Sequence, residues 1–273
     1  MKIDYKETTN DLLTRIDIHN KFGSRDIDQW MLDTLQLQPG IKILDVACGG
    51  GKQCVSFHKF LNGDVSITGG DVNQELLDQA ELENVKLGSP FTILPLDFDK
   101  RFPFEDGQFD LVSCCFDIIF HPVSNCYVED VYHVWNECHR VLKPGSRLFT
   151  TGPMPTNKKV FYDIIHEATG KEIPPMPGSS RYSSEIYGAI EKTFSSVRTE
   201  IFENPLVFKQ AGPFIAYTRA SLSEDRRLWT SLFANADEFE KMMQKIHKVA
   251  DERIIKDGEI VMTKVVGGFI GTK

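Results

Sequence analysis

The chain reads as an α/β protein built on a mostly parallel sheet with helices on both faces. Short apolar runs alternate with stretches of helical periodicity, and joining parallel strands in this way requires right-handed crossovers. One such joint, Ile41 to Gln53 (IKILDVACGGGKQ), is a strand that runs straight into a glycine turn and a helix. Acidic residues, Asp45, Asp71 and Asp97, stand in or just past the first three apolar runs, where open α/β sheets hold ligands.

The elements follow in order. Residues 1 to 25 form a partly helical arm with Leu12, Leu13, Ile16 and Ile18 as its apolar contacts. Asp26 to Leu35 carries a helical stripe, with Ser24 as a candidate N-cap. The first strand, Lys42 to Ala47, contains the apolar run of a strand covered on both faces. Gly49, Gly50 and Gly51 let the backbone turn tightly and approach a ligand, and Lys52 to Leu61 opens a helix whose free N–H groups face the same place. A second strand (Val65 to Gly69), a helix (Asn73 to Asn84) and third and fourth strands (Phe91 to Leu96, Phe109 to Cys114) come next. A helix over Val128 to Leu142 leads to a fifth strand at Arg147 to Thr151. Beyond it come helices at Lys158 to Thr169 and Ser184 to Phe194, separated by the irregular loop Gly170 to Ser180. Val197 to Phe202 and Ile260 to Ile270 are the candidates for the last two strands, and a mostly helical stretch, Phe208 to Lys256, separates them.

The ligand at the glycine turn is narrowed by spacing and charge. A dinucleotide fingerprint needs G-x-G-x-x-G; starting at Gly49 puts Cys54 in the third place, and starting at Ala47 puts Lys52 there. Asp45 would also meet a pyrophosphate at close range, whereas it suits a cationic ligand. Asp71 lies about 20 positions beyond the turn, placed to accept from ribose hydroxyls; capping the following helix is the lesser alternative.

D-x-A-x-G-x-G at Asp45 to Gly51, the acids after strands two and three, F-P-F-E-D-G-Q-F-D at Phe102 to Asp110 and RVLKPGS at Arg140 to Ser146 occur here in one order. This succession, covering roughly Phe22 to Gly152, resembles the class I S-adenosylmethionine-dependent methyltransferases of the small-molecule type, in particular the ubiquinone/menaquinone-biosynthesis group. Glycine is usual in that family where this chain has Ala47 and Ser146. The resemblance implies a Rossmann-like, seven-stranded sheet of order 3-2-1-4-5-7-6 with the last strand antiparallel, and a helical insertion between the last two strands. It divides the chain into an N-terminal helical arm covering the cofactor site (1–40), an S-adenosylmethionine-binding core (41–207), a helical lid or substrate insertion (208–258) and a last core strand (259–273).

Residue by residue, the resemblance places Asp45, Ala47, Gly49 and Gly51 along the methionyl and sulfonium end of S-adenosyl-L-methionine. Asp71 takes the ribose, with Val72 beside the adenine. Asp97 accepts from the adenine amine, the Phe98 backbone meets the ring edge, and the Cys114 carbonyl lies near the ammonium. Phe22 is either an apolar contact to the cofactor or ordinary core. His121 is the candidate catalytic base, against the alternative of a residue that only shapes a turn before Pro122; Asp117 and Tyr217 are further candidates. In the insertion, Phe214, Tyr217, Trp229 and Phe233 would wall a substrate pocket if it is a lid; a helical layer supporting the sheet or a dimer interface is the other reading.

A net charge of −8 weighs against nucleic acid as partner. Neither the Asn-Pro-Pro-Tyr used on base amines nor any Pro-Cys dipeptide occurs. The expectation is therefore a methyltransferase acting on an oxygen, nitrogen or carbon atom of a small metabolite, as monomer or homodimer. A non-catalytic protein that keeps the fold and the cofactor is the alternative. No apolar run approaches the ~20 residues that span a bilayer. The six cysteines, at 48, 54, 114, 115, 126 and 138, include no C-x-x-C pair, so reduced thiols, a cytoplasmic location and no metal are expected.

Overall fold

The computed structural model of the protein describes residues 8–115, 131–174, 176–223 and 226–273. The chain forms two compact units. One comprises Ile27–Pro153, Arg181–Phe202 and Val266–Lys273, and the other Met1–Asp26, Met154–Ser180 and Glu203–Val265. The expected arm over 1–40 thus divides between them.

The first unit carries the sheet. After helix α1 (Thr9–Phe22), which belongs to the second unit, come α2 (Ile27–Leu35), β1 (Ile41–Val46), α3 (Lys52–Phe60), β2 (Val65–Asp71), α4 (Gln74–Lys86), β3 (Phe91–Pro95), β4 (Phe109–Cys115), α5 (Val131–Val141) and β5 (Leu142–Pro153). With β6 (Ser196–Phe208) and β7 (Ile260–Thr272), the sheet runs β3-β2-β1-β4-β5-β7-β6. β1 pairs in parallel with β2 and β4, β2 with β3 and β4 with β5, while β7 runs antiparallel to β5. This is the mostly parallel, Rossmann-like sheet and strand order expected. Ile43, Ile67, Leu111 and Phe149 from four strands are buried with Phe57 of α3 and Leu77 of α4 in one core. The order reverses between β1 and β4, the position at which sheets of this kind open a crevice at their carboxyl ends.

Two of the recurring sequence stretches turn out to be one structural knot. Arg140, near the end of α5, donates to the carbonyls of Phe102 (3.1 Å) and Phe104 (2.8 Å) and to Asp106 Oδ1 (2.7 Å). It also clasps both oxygens of Glu137, at 2.6 and 2.9 Å. Glu137 in turn accepts from the Phe102 N–H at 2.8 Å. The α5 stripe of Val131, Val134, Trp135, Cys138 and Val141 is buried beneath, so the guanidinium fixes the loop that feeds β4 onto the helix that feeds β5.

The second unit is helical around the outer parts of the last two strands. It contains α6 (Lys159–Thr169), α9 (Ala211–Arg219), α10 (Arg226–Leu232) and α11 (Ala236–Asp257), and α1 joins it. The last three are the helical insertion expected between the last two strands. Phe161, Phe214, Tyr217, Trp229, Leu228 and Ile246 form its core. Phe214, Tyr217 and Trp229 have no exposed surface and Phe233 retains 4%, so these four, expected to wall a pocket, hold the helices to one another. Lys158 enters α6 with a left-handed backbone and lays its ammonium over the Phe161 ring at 5.2 Å, which satisfies a buried charge partly by cation–π attraction.

Three local expectations change. The loop over Gly170 to Ser180 becomes helical from Pro177: α7 (Pro177–Arg181) continues through a π-helical turn (Tyr182–Ile186) into α8 (Tyr187–Thr193). That turn aims the buried Tyr182 hydroxyl at the Thr150 and Gly267 carbonyls, at 2.9 and 3.0 Å. Ser24 uses its N–H on Asn204 Oδ1 at 3.0 Å rather than leading a cap, and Asn204 also accepts from Arg25 N–H and donates to Arg25 O. β6 therefore runs six residues past Phe202, through Asn204-Pro205, which it can do because an edge strand tolerates proline.

Candidate active site

The site begins with local geometry at the end of β1. Ala47 leaves the strand with φ +59°, a left-handed conformation that a Cβ disfavours, and Gly49 (φ +52°) and Gly51 (φ +79°) follow it in the same region. A Cβ on Gly51 would stand 3.1 Å from the Ala80 Cβ on α4. That glycine therefore serves both the turn and the close approach of two helices. Gly51 is also the N-cap of α3 and offers no side chain to its first N–H groups, so the helix end is open to a ligand.

A cavity of about 240 Å³ lies here, within the sheet unit. Asp45, Ala47, Cys48, Gly49 and Gly50 form one wall, α2 supplies Ile27, Asp28 and Met31, and Lys52, Gln53 and Cys115 complete it. Whole small-molecule sites run to roughly 300–1,000 Å³, so this space fits one end of an extended cofactor. Asp45 is buried, with Ser113 Oγ donating to one oxygen and Cys54 Sγ at 3.5 Å from the other. The Gln53 amide nitrogen is buried in the wall with no acceptor among the described residues, a donor left available at the cavity.

Asp71, at the end of β2, holds the turn from behind. It accepts from the Gly49 N–H at 3.0 Å and from the Asn73 N–H at 2.8 Å. Asn73, not Asp71, caps α4 through its side chain, so the capping alternative for Asp71 falls away. Val72 beside it leaves 42% of its surface exposed, an apolar face at the place expected for a nucleobase.

The other sequence-predicted residues are spread more widely. Asp97 accepts from the Asp99 N–H at 3.1 Å and pairs with Lys100 at 2.8 Å; the Lys100 contact, then the Asp99 N–H, lower its pKa. Phe98 is core. The Cys114 side chain is buried, and it is Cys115 that reaches the cavity. Phe22 packs on Phe208, ring centroids 5.1 Å apart, in the helical unit's core. His121 and Asp117 lie outside the described residues. Reasoning from sequence missed Asp28, Met31, Lys52, Gln53 and Cys115; only the glycine turn, one residue before Lys52, pointed toward any of them.

Two thiols beside the site have raised pKa values. The Cys48 side chain, burial and the Asp45 charge together hold Cys54 well above its ordinary pKa. Burial, then Asp45, pushes Cys115 up to about 12. Among the described residues no cluster suited to a metal occurs, and no helix is long and apolar enough to cross a membrane.

The Methyltransferase domain family matches residues 44–150, from β1 through most of β5. The chain is 31% identical over 186 residues to the ubiquinone/menaquinone biosynthesis C-methyltransferase UbiE of Geobacter sp. (strain M21), covering 63% of this chain and 73% of that one. It is 30% identical over 193 residues to 24-methylenesterol C-methyltransferase 2 of Arabidopsis thaliana, covering 68% of this chain and 50% of that enzyme. The chain spans about half the length of several of the curated relatives it matches. In fold, it superposes on the YcgJ protein of Bacillus subtilis with a TM-score of 0.57 at 17% identity, over 90% of this chain and 97% of that one.

Proposed function

Since the chain belongs to the class I S-adenosylmethionine-dependent methyltransferases, we propose that it binds S-adenosyl-L-methionine in the β1–α3 crevice and methylates an oxygen, nitrogen or carbon atom of a small molecule. The observation that carries this reading is the wall from Asp45 to Gln53. It combines a buried carboxylate, a left-handed turn stripped of side chains, an open helix end and an unused amide donor in one cavity. These fit a ligand that is cationic at one point and carries a carboxylate nearby.

Asp71 and Val72 are assigned the ribose and adenine: the carboxylate already fixed by two backbone donors keeps lone pairs for hydroxyls, and the exposed valine offers an apolar face. Asp97 and the Phe98 backbone are assigned the adenine edge, Asp97 after exchanging its Lys100 contact, and the Cys114 carbonyl the ammonium. The bound cofactor supplies an electrophilic methyl group. The protein's part is to orient it and exclude water, and proximity of this kind can supply ~7–11 kcal/mol of a barrier. His121 is assigned the acceptor's proton by its place in the sequence. The insertion 208–258 is assigned the choice of acceptor by its place in the sequence, an inserted element of a kind that often carries specificity. The relatives named for sterol and quinone methylation support a small hydrophobic acceptor.

Calorimetric titration with S-adenosylhomocysteine, followed by incubation with methyl-labelled cofactor and a metabolite extract, tests the proposal. Binding and a labelled small product are expected. Absence of binding would overturn it, and binding with no label transferred to any fraction would favour a non-catalytic role.

A further inference from the structure

The mouth of the cavity carries an ion pair that the recurring motif does not explain. Asp28, in the first turn of α2, and Lys52, the first residue of α3, both line the cavity. Lys52 Nζ sits 3.0 Å from Asp28 Oδ1 and 2.8 Å from Oδ2. The lysine side chain is otherwise largely exposed, and an exposed pair of this kind contributes little to stability. Next along the same helix turn is the unused Gln53 amide.

Resting on the cofactor reading above, we infer that the Asp28–Lys52 pair, with Gln53, is a reader for the zwitterionic amino-acid end of the cofactor. The chemistry is an exchange of partners. Lys52 leaves Asp28 for the ligand carboxylate, beside the uncapped N-terminus of α3 and the Gln53 amide. Asp28 takes the ligand ammonium in place of the lysine. Asp45 is less suited to that task, because both its oxygens are already engaged by Ser113 and Cys54. Both charges stay paired before and after, so entry of a zwitterion leaves no uncompensated group in the cavity. A nucleoside without the amino acid gains nothing from the exchange and leaves the pair closed. The device therefore selects for a complete aminocarboxypropyl group and ignores the adenosine.

Two probes separate the ends: S-adenosylhomocysteine, which has the amino acid, and 5′-methylthioadenosine, which lacks it. The unaltered protein should prefer the first. In Lys52→Met, Asp28→Asn and Gln53→Leu, S-adenosylhomocysteine should bind about ten- to a hundred-fold more weakly, the range for losing a charge-assisted hydrogen bond, while 5′-methylthioadenosine stays within about twofold. Thermal midpoints measured alongside should barely move. Equal weakening of both probes, or a fall in thermal midpoint with both affinities intact, would reduce the pair to a structural clasp between α2 and α3 and overturn the inference. If the unaltered protein binds neither probe, the cofactor reading falls first.

Discussion

Two stretches of this chain are equally recognisable as sequence and opposite in physical character. Around Arg140 the polar groups are spent on one another: five hydrogen bonds from one guanidinium, and a carboxylate that also takes a backbone N–H. Around Gly49 they are aimed at a cavity, and the amide of Gln53 has no acceptor among the described residues. A stretch recognisable in the sequence can thus be constrained by folding or by a ligand, and only its hydrogen bonds tell which. Variants in the first stretch should change stability without changing affinity. Variants that remove polar groups of the second stretch should do the reverse, whereas changes at its left-handed residues act through the backbone on stability.

The largest effect belongs to the knot. Glu137→Gln leaves the Arg140 charge short of its closest partner and should cost about 3 kcal/mol at neutral pH, within the range for breaking a buried pair. Arg140 first, and then the Phe102 N–H, hold the Glu137 carboxyl below the usual glutamate pKa against the upward push of burial. Its contribution is then complete above the unfolded-state value and is lost as pH falls through the folded one. Chemical denaturation across pH should show wild type and variant converging in acid, with cofactor affinity alike throughout; a selective loss of affinity would erase the contrast.

Next is Asp71→Ala, which removes the acceptor proposed for ribose hydroxyls and the tether of the Gly49 N–H. Titration with S-adenosylhomocysteine should show a loss of about 2 kcal/mol; unchanged affinity would mean that Asp71 serves the fold alone. Gly51→Ala, strained by its positive φ and pressed on Ala80, should lose about 1–2 kcal/mol of stability, read from urea midpoints. The smallest change has the opposite sign. Ala47→Gly relieves a left-handed alanine and should add about 1 kcal/mol with affinity retained; a less stable protein would show that the alanine methyl makes contacts worth more than the strain.

The sheet was legible because its signals are local: apolar runs, turn residues and acids at the run ends, each readable within a few positions. The floor of the site was legible for the same reason. Its mouth was not, because Asp28 lies far from Lys52 in sequence and each reads as the polar face of its own helix. Nor did periodicity show that Phe214, Tyr217 and Trp229 would face inward among helices, since an aromatic stripe looks the same whether it covers a cavity or fills a core. Asn204 was passed over because a polar residue beside proline resembles the end of a strand, when here its amide holds the backbone of Ser24 and Arg25.

One feature of the cavity wall bears on the protein's own survival. A strongly electrophilic methyl donor is also an alkylating agent, and Cys115 lines the cavity in which it would be held. A thiol reacts through its thiolate, and burial, then the Asp45 charge, pushes the Cys115 pKa up to about 12, so the neutral form dominates at neutral pH. The buried charge of Asp45, which suits a cationic ligand, also helps keep that thiol protonated. Burial first, and that carboxylate second, would then guard the wall against methylation by the cofactor proposed to sit there, so that turnover need not consume the enzyme.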